Sequence, residues 1–409
     1  MHTFSNIRVL YLNDWIKGSW QVQTVHAREF LEAFQRQPGI QVFTYPQTPI
    51  SKKQNIHVKI EKQYLDLTKQ FLKKRVLYPL LKLFLNEISY KKNNFMIRRY
   101  INIIQPDLII ARYNQNFFPI LYNLTKHKRP LILEVNALVA HGLSVENIDS
   151  RIALFEKNII LRADALFTVC KTTSELIKEI GVDPDRVFTV PNGVDPFKFS
   201  PQPKSEELYR RYGLSKHVVI GYVGGFTKEE HEGRNVLGML EAFKIAKIES
   251  GIPLKMLMIG RMDEDCLWKE IKRLGITKSV VFTGFINHSQ VPKFMNLIDI
   301  AVAPYFERRL IDRSPIKLFE YMAMEKPTVI PGIGQPAEIL VNKKSAVLVE
   351  AESPLSMSEG LIMLIRDDSL RKKIGENARE LILEKYTWEH NARNIANICR
   401  LVLEKKIEK

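Results

Sequence analysis

The chain has 409 residues, too many for one ordinary hydrophobic core, so two domains of roughly 150 to 200 residues each are expected. With 45% apolar and 26% charged residues it has the composition of an ordinary soluble globular protein, which excludes a disordered or fibrous chain. The net charge of +16 implies attraction to something anionic, whether nucleic acid, a phosphorylated metabolite or a lipid surface.

The chain opens almost at once on "IRVLYL" (7–12), a short strand-like run without the basic and apolar regions of a secretory leader. No apolar run reaches the 18 or so residues a membrane span needs. After "IQVFTY" (40–45) comes a basic stretch, 52–99, with thirteen Lys and Arg against Glu61, Asp66 and Glu87. Within it "FLKKRVLYPLLKLFL" (71–85), divided at Pro79, mixes basic and apolar residues as an interfacial helix does. Two readings stay open for it: a peripheral anionic membrane surface, or an N-domain core with solvated lysines.

Strand candidates continue through "PDLIIARY" (106–113), "PLILEV" (130–135), "DALFTV" (164–169) and "VFTVPNG" (187–193). Several are apolar throughout, as strands covered on both faces are, and that points to parallel sheet. The segment 191–207, dense in Pro and polar residues, reads as a hinge. The pattern then restarts at "HVVIGYVGG" (217–225) and runs through "LKMLMIG", "SVVFTG", "DIAVAPY", "KPTVIPG" and "SAVLV", with helical segments between. The expected fold class is therefore α/β, with two successive Rossmann-like doubly wound domains. Cys170, Cys266 and Cys399 are scattered, with no C-x-x-C pair, so neither a disulfide frame nor a structural zinc site is suggested. There is no zinc spacing, RNP-like aromatic pattern or basic coiled segment, so nucleic acid is not an expected partner.

Ligands of doubly wound folds sit at the carboxyl ends of strands, and "DIAVAPY" (299–305) leads through "FERRLIDR" into "SPIKLFEYMA" (314–323). Ser314 reads as the N-cap and Pro315 as the first helical residue. The amides of Ile316 and Lys317 then head the positive end of a helix dipole, a ready phosphate site. Lys317 adds a charge, and Glu320 projects from nearly the same face one turn on, while Leu318, Phe319, Met322 and Ala323 supply the buried face. The bland alternative is a capped core helix whose Lys317 and Glu320 form a weak exposed pair.

"SPIKLFEYMAMEKPTV" resembles the donor-site segment of glycosyltransferase family 4, the retaining enzymes of GT-B fold that use nucleotide diphosphate sugars. The family's two acidic residues, with seven residues between them, match Asp312 and Glu320, with Asp312 in place of the usual Glu. "VPNGVDPFKF" (190–199), "RADALFTVCKTTSELIKEIGV" (162–182) and "YTWEHNARNIANICRLVLEK" (386–405) resemble the family's interdomain segment, the element before it and its terminal helix. The resemblance thus covers nearly the whole chain. It implies two domains facing across a cleft: 1–195 binding the acceptor, 196–385 the nucleotide sugar, and 386–409 a helix crossing back to the first.

By that resemblance, Glu320 holds the two ribose hydroxyls and Asp312 binds donor-sugar hydroxyls, while the Ser314-headed turn, with Ile316 and Lys317, holds the diphosphate. Phe285 and Ile286 in "TGFINHSQ" stand where the backbone reads the base, and Gly18 where the first domain's backbone approaches the diphosphate. The Gly18 loop has no G-x-G-x-x-G, which counts against a NAD enzyme. Family members carry "GR" and then "KG" after the first strand of the second domain, and here the loop is "GGFTKEEHEGRN". Gly224 and Gly225 occupy the first pair, and Lys228, His231, Arg234 or Lys317 is left to supply the missing cation. Asn136 stands where many members place a His, with His141 a candidate substitute on the acceptor side. No cofactor and no metal are expected, because the helix terminus and basic residues stand in for a magnesium ion.

The function implied is metal-independent, retaining transfer of a sugar from a nucleotide diphosphate to a glycan or lipid-linked acceptor in cell-surface polysaccharide or glycolipid synthesis. The site is expected to be cytoplasmic, peripheral to the inner membrane face. The alternatives are a catalytically silent nucleotide-sugar-binding protein and a sugar-nucleotide epimerase of similar fold.

Overall fold

The structure is a computed structural model that describes residues 6–13, 22–45, 94–114, 118–140, 150–226, 234–261 and 264–407. Twelve strands are found among them, and each of the twelve runs marked in the sequence supplies one. The first six are β1 (Ile7–Leu12), β2 (Ile40–Tyr45), β3 (Leu108–Arg112), β4 (Leu131–Val135), β5 (Ala165–Thr168) and β6 (Val187–Thr189). They form one sheet in the order β2-β1-β3-β4-β5-β6. The second six are β7 (Val218–Val223), β8 (Leu254–Ile259), β9 (Val280–Phe282), β10 (Ile300–Val302), β11 (Thr328–Pro331) and β12 (Val347–Val349), in the order β12-β11-β10-β7-β8-β9. Neighbours in the second sheet all pair in parallel.

The apolar runs have the cause expected of them. Met256 and Met258 of β8 face one hydrophobic cluster, while Leu257 and Ile259 face another on the opposite side of the sheet. A strand clothed by helices on both faces has no use for polar alternation. The helix Val236–Ser250 illustrates how these coverings are bounded. Asn235 caps its start by accepting from the Gly238 amide at 3.1 Å, and Gly251 ends it in the left-handed conformation, φ 66°.

By contacts the chain divides into two compact units. The first comprises residues 1–134, 154–166 and 396–409, and the second 135–153 and 167–395. The Pro-rich segment 191–207, expected as a hinge, lies inside the second unit. Its Phe199 is fully buried in a core cluster, and a Cβ on Gly193 would lie 2.5 Å from the Trp388 backbone nitrogen, so the segment is packed. The terminal helix Trp388–Ile407 contributes its residues from Ala396 onward to the first unit.

Both sheets reverse strand order at a defined place, between β1 and β3 in the first and between β7 and β10 in the second. The crevice at the carboxyl ends of such a pair is where doubly wound folds take ligands. In the second sheet it falls at Gly224–Gly225 after β7 and at the loop that follows β10.

Lys326, between the helix Ile316–Ala323 and β11, carries a cost of this packing. Burial, and then the nearby Lys204 ammonium, push its pKa down from the ordinary 10.5 to about 8. The folded chain therefore releases this proton at lower pH than the unfolded chain, which holds more protons between about pH 8 and 10.5. The penalty is complete below about pH 8 and disappears as the pH rises through that window. Lys326→Met is expected to raise stability at pH 7 and to flatten the rise between pH 8 and 10 in urea unfolding. An unchanged difference between wild type and variant across that range would refute this.

Candidate functional site

The residues marked between 312 and 320 gather at the switch point of the second sheet. The helix begins at Ile316, one residue later than the Ser-Pro reading placed it. Pro315, with ψ 93°, is the cap residue, and its carbonyl accepts the Leu318 amide at 2.8 Å. Ser314 makes no capping hydrogen bond; it is half-buried, and its hydroxyl is enclosed without a protein partner. A proline can take the cap because that position needs a carbonyl and an extended ψ, and proline supplies both. The amides of Ile316 and Lys317 still head the helix.

Glu320 is 5% exposed, which rules out the weak surface pair. Its Oε1 lies 3.4 Å from His288 Nε2, and the edge of that imidazole meets the Phe199 ring at 5.7 Å. Lys317 extends over the face of Tyr222, with Nζ 4.5 Å from the ring centroid, and donates to the Tyr222 hydroxyl at 3.2 Å. The Tyr305 ring lies 5.8 Å from the same ammonium. Two aromatic faces thus hold the cation by its attraction to their π clouds. Burial raises the Tyr305 phenol pKa, opposed by the Arg234 guanidinium nearby, so Tyr305 stays neutral. The neighbouring Tyr321 accepts from the Val223 amide at 2.7 Å and ties the helix to the end of β7.

Gly224 and Gly225, half-buried, follow directly on β7. A Cβ on Gly224 would stand 2.6 Å from the Tyr222 hydroxyl and 2.9 Å from Arg234 Nη1, so the guanidinium rests against this turn. Gly260, after β8, comes so close from the other side that its Cβ would lie 1.9 Å from the Gly224 carbonyl oxygen, and its φ of 144° suits only glycine. Of the cations left open to replace the expected Arg and Lys, the structure therefore brings Arg234 and Lys317 to the site. Lys228 and His231 lie outside the described residues, as do Gly18 and His141.

Asp312 is fully buried, with the Arg313 Nε 3.7 Å from its carboxylate, and its own carbonyl accepts from the Thr173 hydroxyl at 2.9 Å. After β9, Phe285 is 68% exposed while Ile286 packs against the core, so a flat apolar face stands clear of the turn. Asn136 is half-buried just beyond β4. Among the described residues, no three His, Cys, Asp or Glu side chains converge as a metal site would require.

Sequence reasoning missed His288, Tyr222, Tyr305 and Tyr321. His288 stood inside "TGFINHSQ" and Tyr222 inside "HVVIGYVGG", but nothing in their spacing relates them to a helix 30 to 100 residues on.

Two doubly wound parallel sheets, with cations and a buried carboxylate at the switch point of the second, define a GT-B type of protein. Comparisons with known proteins agree. The family profile described as Glycosyl transferases group 1 matches residues 205–381, and that of Glycosyltransferase Family 4 matches 23–197. An uncharacterized glycosyltransferase of Methanocaldococcus jannaschii is 26% identical over 245 residues, 58% of this chain and 60% of its own. The capsular polysaccharide biosynthesis glycosyltransferase CapM of Staphylococcus aureus is 28% identical over 207 residues, 49% of this chain and 52% of its own. The chain thus spans between half and two thirds of these two relatives. Among solved structures, HepE of Anabaena in complex with UDP and glucose superposes with a TM-score of 0.66 at 15% identity, covering 97% of this chain and all of that one. Sucrose-phosphate synthase of Thermosynechococcus elongatus gives 0.70 at 13% identity, over 98% and 100%. The chain belongs to the group 1, family 4 glycosyltransferases.

Proposed function

We propose that the protein transfers a sugar from a nucleotide diphosphate donor to a glycan or lipid-linked acceptor in cell-surface polysaccharide or glycolipid synthesis, with retention of anomeric configuration and without a metal. The observation that carries this reading is the buried Glu320 carboxylate on the helix that also carries Lys317, at a switch point where Arg234 rests against the Gly224 turn. A buried carboxylate costs several kcal/mol to desolvate, and core packing has no use for it. Facing a ribose, it accepts hydrogen bonds from two vicinal hydroxyls at once. The helix amides and the two cations hold the diphosphate and stabilise the charge that grows on it as the glycosidic bond breaks. Asp312 engages donor-sugar hydroxyls, and the backbone at Phe285 and Ile286 meets the base. The Anabaena relative in fold was solved with UDP and with UDP-glucose, which supports a sugar nucleotide as the donor class.

The acceptor side belongs to a membrane surface in this reading. Most of the basic stretch 52–99 lies outside the described residues, but a second basic group stands in the first unit. His127 is held below its ordinary pKa by desolvation and then by Arg129, Arg98 and Lys406, which marks how closely these cations gather. Lys406 donates to the Lys128 carbonyl, and Lys126 stacks over Tyr122 at 4.2 Å. Each basic residue close to an anionic surface contributes about 1 kcal/mol of attraction. No helix among the described residues is long and apolar enough to cross a membrane.

A thermal-shift screen of UDP-, GDP-, ADP- and dTDP-sugars is expected to identify one donor class, since a ligand at a hundred times its Kd adds about 2.7 kcal/mol of stability. Glu320→Gln is expected to weaken binding of that donor about 10- to 100-fold, for loss of a charge-assisted hydrogen bond. A folded variant that binds as wild type does would sink the assignment. NMR of the product is expected to show the donor's anomeric configuration, at a rate that a chelator leaves unchanged. An inverted product would remove the protein from the retaining class. Co-sedimentation with anionic vesicles is expected at low salt and lost at high salt, whereas equal binding to neutral vesicles would point to a soluble acceptor.

A further inference from the structure

Three segments far apart in sequence close a ring around the backbone of Asp312. The first is the start of the helix Lys171–Glu179, just after β5. The second is the loop 310–312, and the third is the turn and short helix 333–339.

Glu338 joins the third segment to the first. Its Oε2 accepts from the Lys171 amide at 2.9 Å, and its Oε1 from the Thr172 amide at 3.1 Å and the Thr172 hydroxyl at 3.3 Å. Cys170, the residue at the cap position, makes no side-chain cap bond, so the carboxylate of another segment caps this helix instead. Negative charge there is favoured by the helix dipole. Gln335 reinforces the junction by donating from Nε2 to the Val169 carbonyl. Gly334 joins the third segment to the second. At φ +54° its Cβ would lie 2.5 Å from the Leu310 oxygen and 2.8 Å from the Ile311 oxygen, so only glycine admits this approach. Thr173 closes the ring: fully buried, it donates to the Asp312 carbonyl.

We infer that Thr173 and Glu338 are positioning residues for Asp312: Thr173 fixes the peptide that carries the Asp312 carboxylate, and Glu338 fixes Thr173 by capping its helix. The inference rests on the reading of Asp312 as a donor-sugar residue. The side chain of Asp312 is enclosed, so it reaches a sugar hydroxyl only from the place its backbone gives it. That place is set by a hydroxyl 139 residues earlier in the chain. Neither Thr173 nor Glu338 need touch the nucleotide, whose partners sit on the helix Ile316–Ala323 and after β7.

The test uses the full-length protein, the sugar nucleotide selected by thermal shift, and release of the nucleoside diphosphate by hydrolysis without acceptor. Thr173→Val keeps the shape and removes the donor, and Thr173→Ser restores it. Thr173→Val is expected to lower kcat about 10- to 100-fold, the scale of an ångström of misplacement, while the Kd for the nucleoside diphosphate alone stays within about two-fold of wild type. Thr173→Ser is expected to recover most of the loss. Hydrogen exchange at the amides of Asp312 and Arg313 is expected to quicken in Thr173→Val, and to a smaller degree in Glu338→Gln. Glu338→Gln, which keeps one acceptor oxygen, is read the same way and decides the matter if Thr173→Val does not fold. Asp312→Asn separates the two levels of the argument. If Asp312→Asn turns over as wild type does, the role of Asp312 fails and the inference falls with it. If Asp312→Asn is impaired while Thr173→Val or Glu338→Gln keeps full kcat, the positioning role alone is overturned. Loss of nucleotide affinity in proportion to kcat, or no recovery in Thr173→Ser, also overturns it, because a general loosening of the unit would do that.

Discussion

The second unit is arranged around one costly group, the carboxylate of Glu320. Removing a charge from water costs several kcal/mol, and the interior returns it only where hydrogen bonds and opposite charge are already in place. The helix that carries Glu320 cannot turn it back to solvent, because Leu318, Phe319, Tyr321 and Met322 on either side are all fully buried. The Tyr321 hydroxyl fastens the same helix to the end of β7. Rotation and sliding are both blocked. The carboxylate is therefore held at the switch point of the sheet whether or not a ligand is present, beside an imidazole that packs on Phe199. A sequence that spends stability in this manner does so where chemistry asks for it.

The same logic extends to the cations. Lys317 could have pointed to water like most lysines, but it lies on the Tyr222 ring with its hydrogen bond directed to that hydroxyl. A lysine so placed loses little further freedom when an anion arrives, and a positive charge fixed in advance is the kind that stabilises a transition state without reorganisation. Gly224 and Gly260 serve the arrangement by being small. Any side chain on Gly224 would push into Tyr222 or Arg234, and any on Gly260 would push into Gly224. The glycine that looked like a lost arginine at 225 thus belongs to a turn whose guanidinium comes from Arg234, nine residues later.

The twelve strands were legible because burial on both faces forces apolar runs, and these were short, rich in β-branched residues and spaced by helical segments. The helix Ile316–Ala323 was legible as a candidate site from its charges, since Lys317 and Glu320 interrupt a face that packing would have kept apolar. Its first residue was misread because Ser-Pro fits two registers. Serine can cap with proline at the first helical position, or proline can cap and leave serine outside; only ψ at Pro315 decides. In the Pro-rich segment 191–207 local composition marks a turn, and composition alone does not show that Phe199 within it is buried in a core cluster. His288, Tyr222, Thr173 and Glu338 were illegible for a common reason. Each meets its partner across 30 to 170 residues, and contacts made by folding over such distances leave no period in the sequence.

The distribution of charge carries the remaining argument. On the proposed function, a donor diphosphate needs about two to three positive groups close at hand, and Lys317, Arg234 and the helix terminus would supply them. The chain has a surplus of sixteen. Charge of one sign opposes the compact state through self-repulsion, so a surplus much larger than the donor requires has its use elsewhere. In the first unit desolvation, and then the charges of Arg129, Arg98 and Lys406, hold the His127 imidazole toward the neutral form. The buried Glu320 and the cations held near its helix organise the second unit, and the basic group around His127 is a separate concentration of positive charge in the first.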